Sequence, residues 1–183
     1  MKKVVITFGV ISGLILAILV WVNTGLLCDG DVISLDYAMF IGYASMLIAL
    51  TMVFFGIKSY RDNYSGGRVT FWKAVQIGLL ISLIASIFYF LGAMSYSAAN
   101  PGFDERFLAK WTEHSIGKIQ AAGGTQAEID EVHQSVEMMR TFFKNPLLFF
   151  LVCLMEFLPV GIIVTLISAA LLRRRELLPA APG

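Results

Sequence analysis

Glu156 is the residue of this 183-residue chain whose type and place most plainly promise chemistry. It is the one ionisable side chain inside an otherwise apolar run, Pro146–Leu172, and it stands three positions before Pro159. A carboxylate in hydrocarbon is costly, so it marks either a proton or substrate path or a polar contact between helices. Counting about 20 residues back from the Arg173 anchor reaches roughly Cys153, so Glu156 sits only about a turn below the far interface. Candidate partners at that depth are Tyr43 and Ser45, Ser86 and Tyr89, or Lys144 and Arg140 reaching in from above. At about 100° per residue, Glu156 points roughly 140° away from Gly161 and about 180° from Thr165. If those small residues face the neighbouring helices, Glu156 faces lipid or another subunit unless Pro159 bends the helix. Pro159 followed by Gly161 is either a hinge or a pair that its neighbours hold still.

A second set of candidates lies between Ser59 and Lys73, which reads as a loop. Gly66-Gly67 supplies a turn, Thr70 caps the following helix, and Phe71-Trp72 suits a membrane interface. Arg61, Asp62 and Arg68 belong to a basic stretch of the kind that meets anionic lipid headgroups, although topology alone already calls for such charge. The stretch matches neither a dinucleotide nor a P-loop fingerprint. His114 and His133 fall on separate segments without metal-ligand spacing, so no metal or cofactor is expected. Cys28 and Cys153 both map near the same face, where a bridge is conceivable but not demanded. No nucleophile stands beside a base, so the chain is not expected to be an enzyme.

The elements that must position these residues are written in the composition. Hydrophobic residues make up 57% of the chain and charged ones 15%, with a mean hydropathy of +0.76. That balance excludes a soluble enzyme, a disordered chain, a disulfide scaffold and a nucleic-acid binder with a basic face. Apolar runs cover 4–22, 38–57, 74–94 and 146–172. Each approaches the roughly 20 residues that cross a bilayer, and none alternates with a period of two, so four membrane-spanning helices are expected. The first run is longer than a signal-peptide core and lacks a small-residue cleavage site, so it is expected to stay as a helix.

Orientation follows from Lys and Arg. Lys2 and Lys3 precede the first run, Lys58, Arg61, Arg68 and Lys73 lie between the second and third, and Arg173, Arg174 and Arg175 follow the fourth. The first loop carries Asp29, Asp31 and Asp36 without a basic residue, and the long segment before Pro146 holds seven acidic residues against five basic. Both termini are therefore expected to be cytoplasmic.

Small residues at four-residue spacing offer packing faces: Gly9, Gly13 and Ala17; Ala38 and Gly42, then Ser45 and Ala49; Ala74, Gly78, Ser82 and Ser86; Gly161, Thr165 and Ala169. The segment 97–145 reads as an extracytoplasmic helical hairpin. Phe103, Phe107 and Trp111 recur every four residues, Gly123-Gly124 ends the first helix, and Thr125-Gln126-Ala127-Glu128 forms a capping box. Ile129, Val132, Val136, Met139 and Phe143 then give one narrow apolar face. That hairpin either closes on itself or the bilayer surface, or docks a partner protein.

Three stretches carry a family resemblance: Gly56-Ile57-Lys58-Ser59-Tyr60-Arg61-Asp62, Gly66-Gly67 leading to Thr70-Phe71, and the run from Phe157-Leu158-Pro159 through Ser168-Ala169. On these the chain resembles a bacterial membrane-protein family known only as a domain of unknown function, four-one-nine-nine. The resemblance implies four helices in a bacterial inner membrane and carries no activity, ligand or catalytic residue. The expectation is thus a single all-α integral membrane domain over 1–183, with a hairpin insertion at 97–145 and a cytoplasmic tail at 173–183. A structural or accessory membrane component is the leading function, and a small oligomeric transporter or channel-like protein using Glu156 is the alternative. Expected partners are the lipid bilayer and either a second copy or another membrane protein, not nucleic acid.

Overall fold

The computed structural model describes residues 1–28 and 34–173. Asp29, Asp31, Arg174, Arg175, the tail from Glu176 to Gly183 and the side chain of Cys28 lie outside the described residues. Six helices follow one another: α1 (Lys2–Cys28), α2 (Leu35–Tyr64), α3 (Phe71–Ala99), α4 (Phe103–Ala121), α5 (Gln126–Lys144) and α6 (Pro146–Arg173). There is no strand among the described residues.

Helices α1, α2, α3 and α6 are long and apolar enough to cross a membrane. They run 27 to 30 residues, which at about 1.5 Å per residue is roughly 40–45 Å, more than the hydrocarbon of a bilayer. The helices run on past the apolar runs into flanking sequence, part of it polar. The clearest case is the end of α2, where the expected loop does not begin at Ser59. Helix continues to Tyr64 because the sequence gives that last turn its own supports: Lys58 and Asp62 pair at i,i+4 (3.6 Å), and the rings of Tyr60 and Tyr64 stack. Gly66 and Gly67, at φ +59° and +76°, then make the turn, as left-handed backbone favours glycine.

These four helices form a bundle in the cyclic order α1, α3, α6, α2, with α2 also touching α3. Small residues decide how close they come. A Cβ added to Gly13 would stand 2.6 Å from the Phe88 ring, and one added to Gly78 2.6 Å from Thr165. Ala49, Leu50, Val53, Ile57, Ile77, Ile81, Phe157 and Ala169 are wholly excluded from solvent and fill the half of the bundle next to Val69 and Leu172. Ile18, Phe40, Met155 and Ile163 point outward, the apolar exterior that lipid accepts and water does not.

The hairpin forms as its sequence directs. Thr125 Oγ1 accepts from the Glu128 amide and the Glu128 carboxylate accepts from the Thr125 amide, closing the expected capping box. Asn145 Oδ1 takes the amides of Leu147 and Leu148, and Pro146 opens α6 where no amide is needed.

Candidate functional site

Away from the packed half, the bundle opens beneath the hairpin. Phe103 of α4 packs on Leu27, Leu35, Ala38 and Tyr96, with Phe107 and Trp111 against the same cluster. Lys110 Nζ donates to the Leu27 carbonyl at 2.8 Å, Lys118 Nζ to Asp36 at 2.5 Å, and His114 Nε2 lies 3.3 Å from the same carboxylate. Helix α5 is tied to α4 by Arg140, which donates to Glu105 at 3.0 Å and to Glu137 at 2.5 Å. Those hydrogen bonds, Glu105 first, hold the Arg140 guanidinium above its ordinary pKa. The apolar face of α4 is therefore spent on its own bundle rather than left free.

Under this roof lie two cavities, of about 310 Å³ and about 360 Å³. They share the walls Val20, Thr24, Tyr89, Phe103, Phe107 and Glu156. Asn23, Tyr43 and Ser45 belong to the first, and Ser97, Asp104, Phe143 and Cys153 to the second. Tyr89 Oη donates to Glu156 Oε2 at 3.0 Å, joining α3 to α6, while the Tyr89 ring stacks on Phe157 at 6.2 Å between centroids.

Glu156 therefore lines an interhelical cavity while staying exposed at its mouth. The buried seam of α6 explains this. Cys153, Phe157, Gly161, Thr165 and Ala169 are all buried, and a four-residue step winds the seam about 40° around the helix each time. At the level of Glu156 the seam has turned until Cys153 is only about 60° away. No bend is required, and α6 runs unbroken through Pro159, which is exposed.

Of the candidate partners, Tyr89 is the one that bonds to Glu156. Tyr43 shares the cavity wall, Ser86 Oγ donates to the Leu83 carbonyl, and Arg140 is held by its two glutamates. Cys153 is a buried free thiol. Among the described residues no group of His, Cys, Asp and Glu could hold a metal ion. Asn23 and Thr24 are wall residues that the sequence reading passed over. Asn23 Nδ2 donates to the Ala38 carbonyl at 3.1 Å, and its Oδ1 is buried without a hydrogen-bond partner among the described residues. Standing just past the run 4–22, they look like an exit from the membrane. Their helical spacing with Val20 and Leu27 was the available signal.

At the opposite end, the residues of the expected loop divide. Arg61 is 1% exposed, and its Nε donates to Asp62 Oδ1 at 2.7 Å. Both sit in the last turn of α2, Gly66 and Gly67 form the turn, and Arg68 stands apart, exposed on a cleft with Lys73 and Arg173.

A family model described as protein of unknown function (DUF4199) matches residues 7–174. The chain belongs to the DUF4199 family. The Tyr89–Glu156 pair, both cavities and the basic cleft of this DUF4199 protein all fall inside the matched span. No curated protein and no solved structure matches the chain.

Proposed function

We propose that this DUF4199 protein is a non-enzymatic structural or accessory component of a bacterial inner membrane, with both termini cytoplasmic and the α4–α5 hairpin outside. The basic residues at the α1 start, the α2–α3 turn and the α6 end support that orientation, since positive charge is retained on the cytoplasmic face. Association with a second copy or another membrane protein belongs to the same reading.

One observation carries the structural role. The intramembrane carboxyl is engaged by Tyr89, so it works as a tie between α3 and α6. Toward the other end of the bundle, Leu50, Val53, Ile57, Ile77 and Ile81 are at 0% exposure, an apolar packing that supports the structural reading. The second reading, an oligomeric transporter or channel-like protein, draws on the two cavities that meet at Glu156. It requires further subunits to complete a path.

Glu156→Gln and Tyr89→Phe separate the two. Gln keeps an acceptor for the Tyr89 hydroxyl, whereas Phe removes the donor, so the structural role expects Tyr89→Phe to be the worse variant by about 1 kcal/mol. Thermal unfolding in detergent, with native mass spectrometry of the assembly, reads this. Intact assembly in Glu156→Gln together with loss of proton or solute flux in vesicles would instead establish transport.

A further inference from the structure

We propose that the cleft between the α2–α3 turn and the end of α6 binds the phosphate of an anionic phospholipid headgroup. Arg68 from the turn, Lys73 from the first turn of α3 and Arg173 from the last turn of α6 line one cleft of about 900 Å³, and among the described residues no carboxylate is in its walls. Three cations lining one cleft repel one another, and a phosphate turns that cost into charge-assisted hydrogen bonds. Lys73 Nζ donates once, to Gln76 at 3.1 Å, which leaves ammonium hydrogens for a ligand.

Hydroxyl donors complete the set. Ser65 and Thr70 are wall residues, and Thr70 is the N-cap of α3 yet makes no side-chain capping bond. Its hydroxyl and the first amides of α3 add to the pull on an anion. Nearby Asp62 is already neutralised by Arg61 and Lys58.

What selects a lipid over a dissolved anion is the rim. Trp72, 78% exposed and the most exposed of the large apolar side chains, stands in the cleft wall beside Phe71. Tryptophan in that setting anchors at headgroup level, so the cleft opens where lipid phosphates lie. A zwitterionic headgroup would bring its own ammonium against three cations, so the site prefers net negative lipids. This inference rests on the reading of α1, α2, α3 and α6 as membrane spans.

The test uses the full chain in nanodiscs of equal parts phosphatidylglycerol and phosphatidylcholine, followed by native mass spectrometry of retained lipid. At about 1 kcal/mol per basic residue, retention of phosphatidylglycerol should exceed phosphatidylcholine by at least roughly tenfold. The triple variant Arg68→Gln, Lys73→Gln, Arg173→Gln should lose that preference while keeping its thermal unfolding curve. Lys2→Gln with Lys3→Gln removes two charges outside the cleft and should keep the preference. An unchanged triple variant, or equal loss in the Lys2/Lys3 control, overturns the site in favour of diffuse attraction. Displacement of the lipid by millimolar inorganic phosphate overturns the lipid assignment in favour of a dissolved anion. Failure of the unmodified chain to enter nanodiscs overturns the membrane reading and this inference with it.

Discussion

Ser12 and Thr165 are both fully buried hydroxyls, and they stand in opposite situations. Ser12 Oγ donates to the Ala49 carbonyl at 2.7 Å, joining α1 to α2. Thr165 Oγ1 and its neighbour Ser82 Oγ lie in the α3–α6 contact with no partner among the described residues. An unmatched buried hydroxyl forfeits solvation and gains nothing, whereas a matched one adds about 1 kcal/mol. Thr165→Val, which keeps the shape, should leave the melting temperature unchanged or raise it. Ser12→Ala should lower stability by about 1 kcal/mol, both read by thermal unfolding in detergent. Some of this scale was legible in the sequence. Glu156 announced itself as a charge in an apolar run, and Tyr89 was among its proposed partners. Arg61 did not announce itself, because a basic residue just past an apolar run looks like a topology signal, and only the continued helix takes it to 1% exposure.

Glycine shows how the same residue serves different ends in different elements. Gly78 of α3 faces Thr165 of α6, with room for hydrogen and none for a methyl. Gly117 of α4 has nothing within 4 Å of where a Cβ would stand. Gly78→Ala should therefore destabilise the bundle by about 1–3 kcal/mol through overpacking, despite the better helix propensity of alanine. Gly117→Ala should stabilise by up to about 1 kcal/mol, since only the propensity changes. Circular-dichroism melts of the two variants check both signs. The small-residue stripes foretold these faces because four-residue spacing fixes a face whatever the partner. They did not foretell which helix each face meets. Nor did periodicity reveal that Phe103, Phe107 and Trp111 pack on Leu27, Leu35 and Ala38, contacts made across some 70 positions of chain.

Taken whole, the molecule is asymmetric from end to end. One end is packed solid and carries the buried Arg61 and the cleft of Arg68, Lys73 and Arg173. The other opens into two cavities roofed by a polar hairpin. With the proposed orientation, alkaline phosphatase inserted after Gly124 should be active, and a fluorescent protein fused to either terminus should fluoresce in the cytoplasm. Inactive phosphatase at Gly124 would invert the topology. The connectivity of the bundle also bears on how the chain is made. Helix α1 packs most extensively against α3 rather than against α2, its neighbour in sequence, and Gly9 and Gly13 meet Ile84 and Phe88. A ribosome delivers α1 and α2 first, so the glycine face of α1 waits, unmatched, until α3 has been made. Slowing synthesis through residues 65–99 is therefore expected to lower the yield of folded protein, read by quantitative blotting against the unmodified gene.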